Sequence, residues 1–110
     1  MANANYLKGR QFEYEVMHKL KEGGYECVRA SGSHGMFDIV AMKNDKTRLI
    51  QCKVGASISL GELRELVAWG RENKRSVEVW HKVPRKYVEI SIVDPSMPMP
   101  LRNRISLKDF

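Results

Sequence analysis

The sequence predicts one domain of 110 residues, α/β or α+β in class, with a mixed five-stranded central sheet in the order α-β-β-β-α-β-β. Three observations carry this. Two segments repeat their apolar residues at helical spacing. Five short apolar segments are bounded by turn residues. Two of those are joined closely enough to form a hairpin.

Taken in order, "NYLKGRQFEYEVMHKLKEGG" is an amphipathic helix that Asn3 or Asn5 can cap and Gly23 and Gly24 end. "YECVRA" is a strand and "SGSHGM" a Gly/Ser loop. The hairpin follows, with "NDKT" as its turn. A turn centred on Asp45 and Lys46 sets Val40 opposite Gln51 and Asp38 opposite Lys53. "SLGELRELVAWGRENK" is a second helix. Ser59 caps it, and Glu62 stands where a capping box needs an acid. Leu60, Leu63, Val67 and Gly70 share its apolar face, with Leu66 beside them. "SVEVWHKV" and "YVEISIVD" are strands joined through Pro84, Arg85 and Lys86. "PSMPMP" forbids regular structure, and "LRNRISLKDF" has no period that assigns it. Residues 95–110 are therefore read as a C-terminal extension of the single domain, with its structure unassigned.

Composition narrows the function. Hydrophobic residues make up 43% of the chain, enough for a packed core. No apolar run reaches the roughly 20 residues of a membrane span. "MANANYLKGR" lacks the apolar core of a secretory signal, so a cytoplasmic protein is expected. Cys27 and Cys52 lie far apart in apolar segments and read as free thiols of a reducing compartment. No Cys/His spacing suits zinc. Nineteen Lys and Arg against 13 Asp and Glu give a net charge of +6, which suits a phosphate-bearing partner. Basic proteins without such a partner are also common.

Some polar residues do not belong where they stand. Side chains alternate along a strand, so Gln51 and Lys53 share a face, and the hairpin pairing adds Asp38 to them. On the first helix, Phe12, Val16, Leu20, Tyr6 and Met17 form an apolar arc of about 140°, and Glu13 falls inside it. Glu15 lies outside the arc as an ordinary solvated acid. Two readings stay open. Asp38 and Lys53 form a cross-strand pair, and Glu13 pairs with Arg29 or Lys53, all for structural reasons. Alternatively, the acids and the Gln51 carbonyl hold Mg²⁺, while Lys53 orients a water or stabilises developing charge.

The pieces "KGRQFEYEV", "VRASGSHGMFDIVA" and "LIQCKV" resemble the archaeal-type Holliday junction resolvases of the PD-(D/E)xK nuclease superfamily. The resemblance spans about Leu7 to Val93 and extends to resolvases of thermophilic bacteriophages. It implies a restriction-endonuclease-like fold and a homodimer that nicks four-way DNA junctions symmetrically with Mg²⁺ or Mn²⁺. No organic cofactor and no membrane partner are implied. Glu13, Asp38, Gln51 and Lys53 take the catalytic places. Glu13, Asp38, Gln51 and the Cys52 backbone carbonyl take the metal. Arg29, Ser31 and Ser33 take the DNA beside the scissile strand. His34 reads equally as a phosphate contact or a surface histidine, and Lys8, Arg10 and "KVPRKY" as phosphate contacts or solvated faces.

Three positions depart from the family pattern. Phe37 replaces the motif's proline, Tyr14 stands where an arginine is frequent, and Gln51 replaces the motif glutamate. The last change removes a negative charge from the metal site. Competing readings are a restriction-type or repair endonuclease of the same fold, a non-catalytic DNA-binding module, and a structural protein. The apolar face of the second helix, with Trp69 and Trp80, reads either as dimer surface or as core.

Overall fold

In the computed structural model, residues 4–30 and 36–110 are described, the side chains of residues 4–6 excepted. The proposed cap Asn3 and the loop residues Ser31, Ser33 and His34 lie outside them, as do the side chains of Asn5 and Tyr6. The elements are α1 (Ala4–Glu22), β1 (Glu26–Arg29), β2 (Ile39–Lys43), β3 (Lys46–Val54), α2 (Leu60–Asn73), β4 (Val77–Val83), β5 (Tyr87–Val93) and β6 (Leu101–Ser106). The sheet has six strands rather than the expected five, in the spatial order β1-β2-β3-β4-β5-β6.

All neighbouring strands are antiparallel except β3 and β4, which α2 joins as a parallel pair. A parallel pair needs such a crossover, because a tight turn reverses the chain. Alternation along β4 fixes the layers. Val77 and Val79 face Leu66 under α2, whereas Trp80 joins Phe12, Val16 and Leu20 of α1. The helices therefore cover opposite faces of the sheet. Trp80 is 2% exposed on the face away from α2, so it is core and not dimer surface. Trp69 packs edge-on to Phe37 at 5.0 Å, and Leu60, expected on the apolar face, is exposed.

The helix boundaries follow their caps. Gly24 ends α1 with φ +90°, a conformation that costs a side-chain-bearing residue free energy. Both arms of the Ser59–Glu62 capping box form. Gly70 lies against the chain beyond α2, where a Cβ would meet the Arg75 carbonyl at 2.9 Å. Glu15 is not solvated as expected: it is half-buried and takes the Lys82 ammonium at 3.4 Å.

The sixth strand comes from the tail. β6 pairs with β5 through Val88↔Ile105 and Ile90↔Asn103. Its pattern is mostly exposed, so β5 rather than any apolar period of its own makes it a strand. Beyond it, Phe110 returns to the α1 core, 6.0 Å from Phe12 and 6.3 Å from Trp80.

Candidate active site at one end of the sheet

The hairpin turn sits one residue earlier than the sequence suggests. Lys43 pairs with Lys46, leaving Asn44 and Asp45 in the turn, with Asn44 at φ 55°. Asparagine tolerates that left-handed conformation better than most residues. Regular pairing ends at Ile39↔Ile50. The Asp38 amide there donates to the Ile50 carbonyl, and the Cys52 amide donates to Asp38 Oδ2 at 2.8 Å. Asp38 therefore faces the backbone of Cys52. The expected cross-strand pair with Lys53 does not form: Lys53 Nζ donates to Glu62 Oε2 at 2.8 Å.

Glu13 reaches the same place from α1. Of its two candidate partners it takes Arg29, whose Nη2 donates to Glu13 Oε2 at 3.2 Å. Strand alternation puts Arg29, Ile39 and Cys52 on the α1 face, and Gln51 and Lys53 on the α2 face. Asp38 stands at the sheet end between the two sets.

The electrostatics mark this place as costly. Burial raises the pKa of Asp38, against the lowering effects of the Cys52 hydrogen bond, Lys53 and Arg29. Burial also raises Glu13, and the Asp38 charge raises it further, against the pull of Arg29. Burial, then the charges of Asp38 and Glu13, push the Cys52 thiol well up, so it is an inert thiol. Cys27 is raised by burial and is likewise free. Arg29 Nε is buried and has no hydrogen-bond partner among the described residues. An unsatisfied buried donor is rare enough in a native fold to require a reason.

The residues gathered here are Glu13, Arg29, Asp38, Gln51, Cys52 and Lys53. The end of β4 lies beside Lys53 and Val54 through His81 and Lys82, which brings the turn with Arg85 and Lys86 to the same end. Lys8 and Arg10 are exposed on α1, a short distance before Glu13. Tyr14, the departure on α1, lies between two guanidiniums, with Arg10 at 5.7 Å and Arg29 at 5.3 Å from its ring. Glu62, which the sequence marks only as a capping acid, also belongs here, against Lys53 and Gln51. Its position in the first turn of the helix after the motif strand was the available signal.

No three His, Cys, Asp or Glu side chains gather into an ion cage among the described residues. Mg²⁺ needs fewer, since it is commonly held by one or two carboxylates with water and substrate phosphates. Asp38 and Glu13 fit that demand, being two acids whose charged forms burial disfavours. A divalent cation would stabilise the charged forms.

The model of the archaeal Holliday junction resolvase (hjc) family matches residues 4–105. Among solved structures, that of Archaeoglobus fulgidus Hjc, a Holliday junction resolvase from an archaeal hyperthermophile, is similar in fold. Its TM-score is 0.59 at 22% sequence identity, over 92% of this chain and 85% of that one. No curated protein matches the chain in sequence. No helix among the described residues is long and apolar enough to cross a membrane.

Proposed function

Because the chain belongs to the archaeal Holliday junction resolvase family, a family of junction-resolving nucleases, we propose that it nicks four-way DNA junctions symmetrically, as a homodimer, with Mg²⁺ or with Mn²⁺ as substitute. The observation that carries the metal-dependent reading is the pair of half-buried acids. Asp38 and Glu13 arrive from separate elements and face each other electrostatically, with their pKa values raised. Structural carboxylates are ordinarily given partners that lower theirs.

Asp38 and Glu13 hold the cation, with the Gln51 amide oxygen and the Cys52 backbone carbonyl as neutral ligands. When bound, the ion supplies polarisation of the phosphodiester and a lowered pKa for the attacking water. Lys53 orients that water through Nζ or stabilises charge on the phosphate oxygens. Arg29 offers its Nε, which has no hydrogen-bond partner among the described residues, to a phosphate oxygen while Glu13 holds Nη2. Ser31, Ser33 and His34 remain proposed contacts to the scissile strand. Lys8, Arg10, Arg85 and Lys86 meet the flanking backbone without reading sequence. A two-fold dimer matches the near two-fold symmetry of a junction. Residues 1–110 act as one nuclease domain, working in the cytoplasm.

The test pairs an immobile four-way junction with linear duplex of the same sequence, each with Mg²⁺ and with EDTA, resolved on a denaturing gel. Paired nicks in the junction alone, and only with Mg²⁺, are expected. Cutting of linear duplex at a sequence would make it a restriction-type enzyme. Binding without nicks, in Mg²⁺ and in Mn²⁺, would make it a binding module whose Gln51 marks a lost metal.

A further inference from the structure

Glu62 divides its carboxylate between two tasks. Oε1 accepts the Ser59 amide at 3.4 Å and the Ser59 hydroxyl at 3.1 Å, which closes the capping box of α2. Oε2 accepts the Lys53 ammonium at 2.8 Å and lies 3.5 Å from the Gln51 amide nitrogen. Lys53 is also within electrostatic reach of Asp38, whose charged form it favours. The ammonium is thus within electrostatic reach of two acids, and it makes its contact with Glu62. One Asp38 oxygen takes the Cys52 amide, and the other accepts no hydrogen bond among the described residues.

This arrangement gives Gln51 a physical reason. A glutamate at 51 would direct a carboxylate toward Glu62 Oε2 at the distance where the amide now stands, like charge against like. With glutamine there, position 51 and Lys53 both donate to Glu62. The acid absent from the strand is present on the helix.

We propose that Glu62 is a positioning residue of this site: it holds the Lys53 ammonium off Asp38, keeping Asp38 open to a divalent cation, and supplies from α2 the acidic neighbour that position 51 lacks. The proposal rests on the metal-dependent reading above. Without Glu62 the ammonium turns to Asp38 and competes with the cation for the same carboxylate.

The test is Mn²⁺ binding to the full chain without DNA, read from the EPR signal of free Mn²⁺, beside junction cleavage in Mg²⁺. Glu62→Gln keeps an oxygen for the capping box, which accepts glutamine as well as glutamate, and removes only the acid facing Lys53. The dissociation constant for Mn²⁺ should rise about tenfold or more, the range seen when an outer partner of a metal ligand is lost. Cleavage should slow with it. Adding Lys53→Met removes the competing ammonium and should return Mn²⁺ affinity to the wild-type range, with cleavage still lost. Ser59→Ala loosens the cap, leaves the Lys53 contact, and should leave Mn²⁺ affinity unchanged. Unchanged affinity in Glu62→Gln would overturn the proposal. So would a double variant as weak as the single, or a Ser59→Ala loss equal to that of Glu62→Gln. Wild-type protein that neither binds Mn²⁺ nor cuts the junction is a separate outcome, which removes the metal-dependent reading itself.

Discussion

Two arginines on the same face of the sheet keep very different company. Arg48 donates to Glu78 through two nitrogens, at 2.8 and 2.7 Å, and Trp80 Nε1 adds a third donor to that carboxylate at 3.0 Å. Its guanidinium lies over both Tyr25 and Trp80. Arg29 makes one hydrogen bond, to Glu13 at 3.2 Å, lies over the Tyr14 ring, has a buried Nε with no hydrogen-bond partner among the described residues, and stands near two acids whose charged forms burial disfavours. The first cluster is saturated. Among the described residues the second has fewer partners, as the proposed binding of a cation and a phosphate requires. Burial of charge alone does not separate scaffold from site; the completeness of its hydrogen bonding does.

The contrast predicts that the two clusters fail differently. Asp38→Asn should lower junction cleavage by about a thousandfold, the scale of losing a group that stabilises transition-state charge, while junction binding in EDTA stays near wild type. Single-turnover cleavage and gel shift read the two effects, and wild-type cleavage would remove Asp38 from the site. Glu78→Ala should do the reverse. It strands Arg48 without its carboxylate and should cost about 3–5 kcal/mol of stability, seen in urea unfolding, with cleavage intact in the fraction that stays folded.

A pH effect should sharpen the same comparison. Asp38 and Glu13 have raised pKa values, so the folded chain keeps protons that the unfolded chain has already released. Their contribution to metal-free stability is therefore full below the ordinary carboxylate range and is lost as pH rises through their raised folded values. The difference in unfolding temperature between Asp38→Asn and wild type, in EDTA, should grow over that window in favour of the variant. A constant difference would mean that Asp38 is not strained in the metal-free protein. The smallest effect is expected at Arg104, an exposed arginine that donates to Glu89 at 2.8 Å and lies over the Tyr87 ring, on the solvent side where the Arg48 pair is not. Arg104→Ala should leave both unfolding temperature and cleavage unmoved, because solvent screens such pairs.

Much of this was legible in the sequence, for local reasons. The α1 stripe with Glu13 inside it, the hairpin, and the α2 capping box each depend on residues within a few positions of one another. What escaped depends on distant partners. β6 exists because β5 offers an edge. Arg48 and Glu78 show the same signal as Asp38 and Lys53, a charge on an apolar strand, and only their pairing across the sheet marks them as scaffold. Trp80 was ambiguous until the side taken by α2 was known. Glu62 satisfied a local rule so fully that its second task gave no separate sign.

The site draws Glu13 from the helix layer on one side of the sheet and Glu62 from the layer on the other, with Asp38 at the sheet end between them. On the proposed metal-dependent reading, a bound cation would act as a clasp across all three layers. A ligand bound to the folded form alone adds to global stability by mass action, in proportion to the logarithm of its concentration above its dissociation constant. Amide hydrogen exchange should then slow in α1 and α2 together when the cation binds, although the two helices never touch the same face.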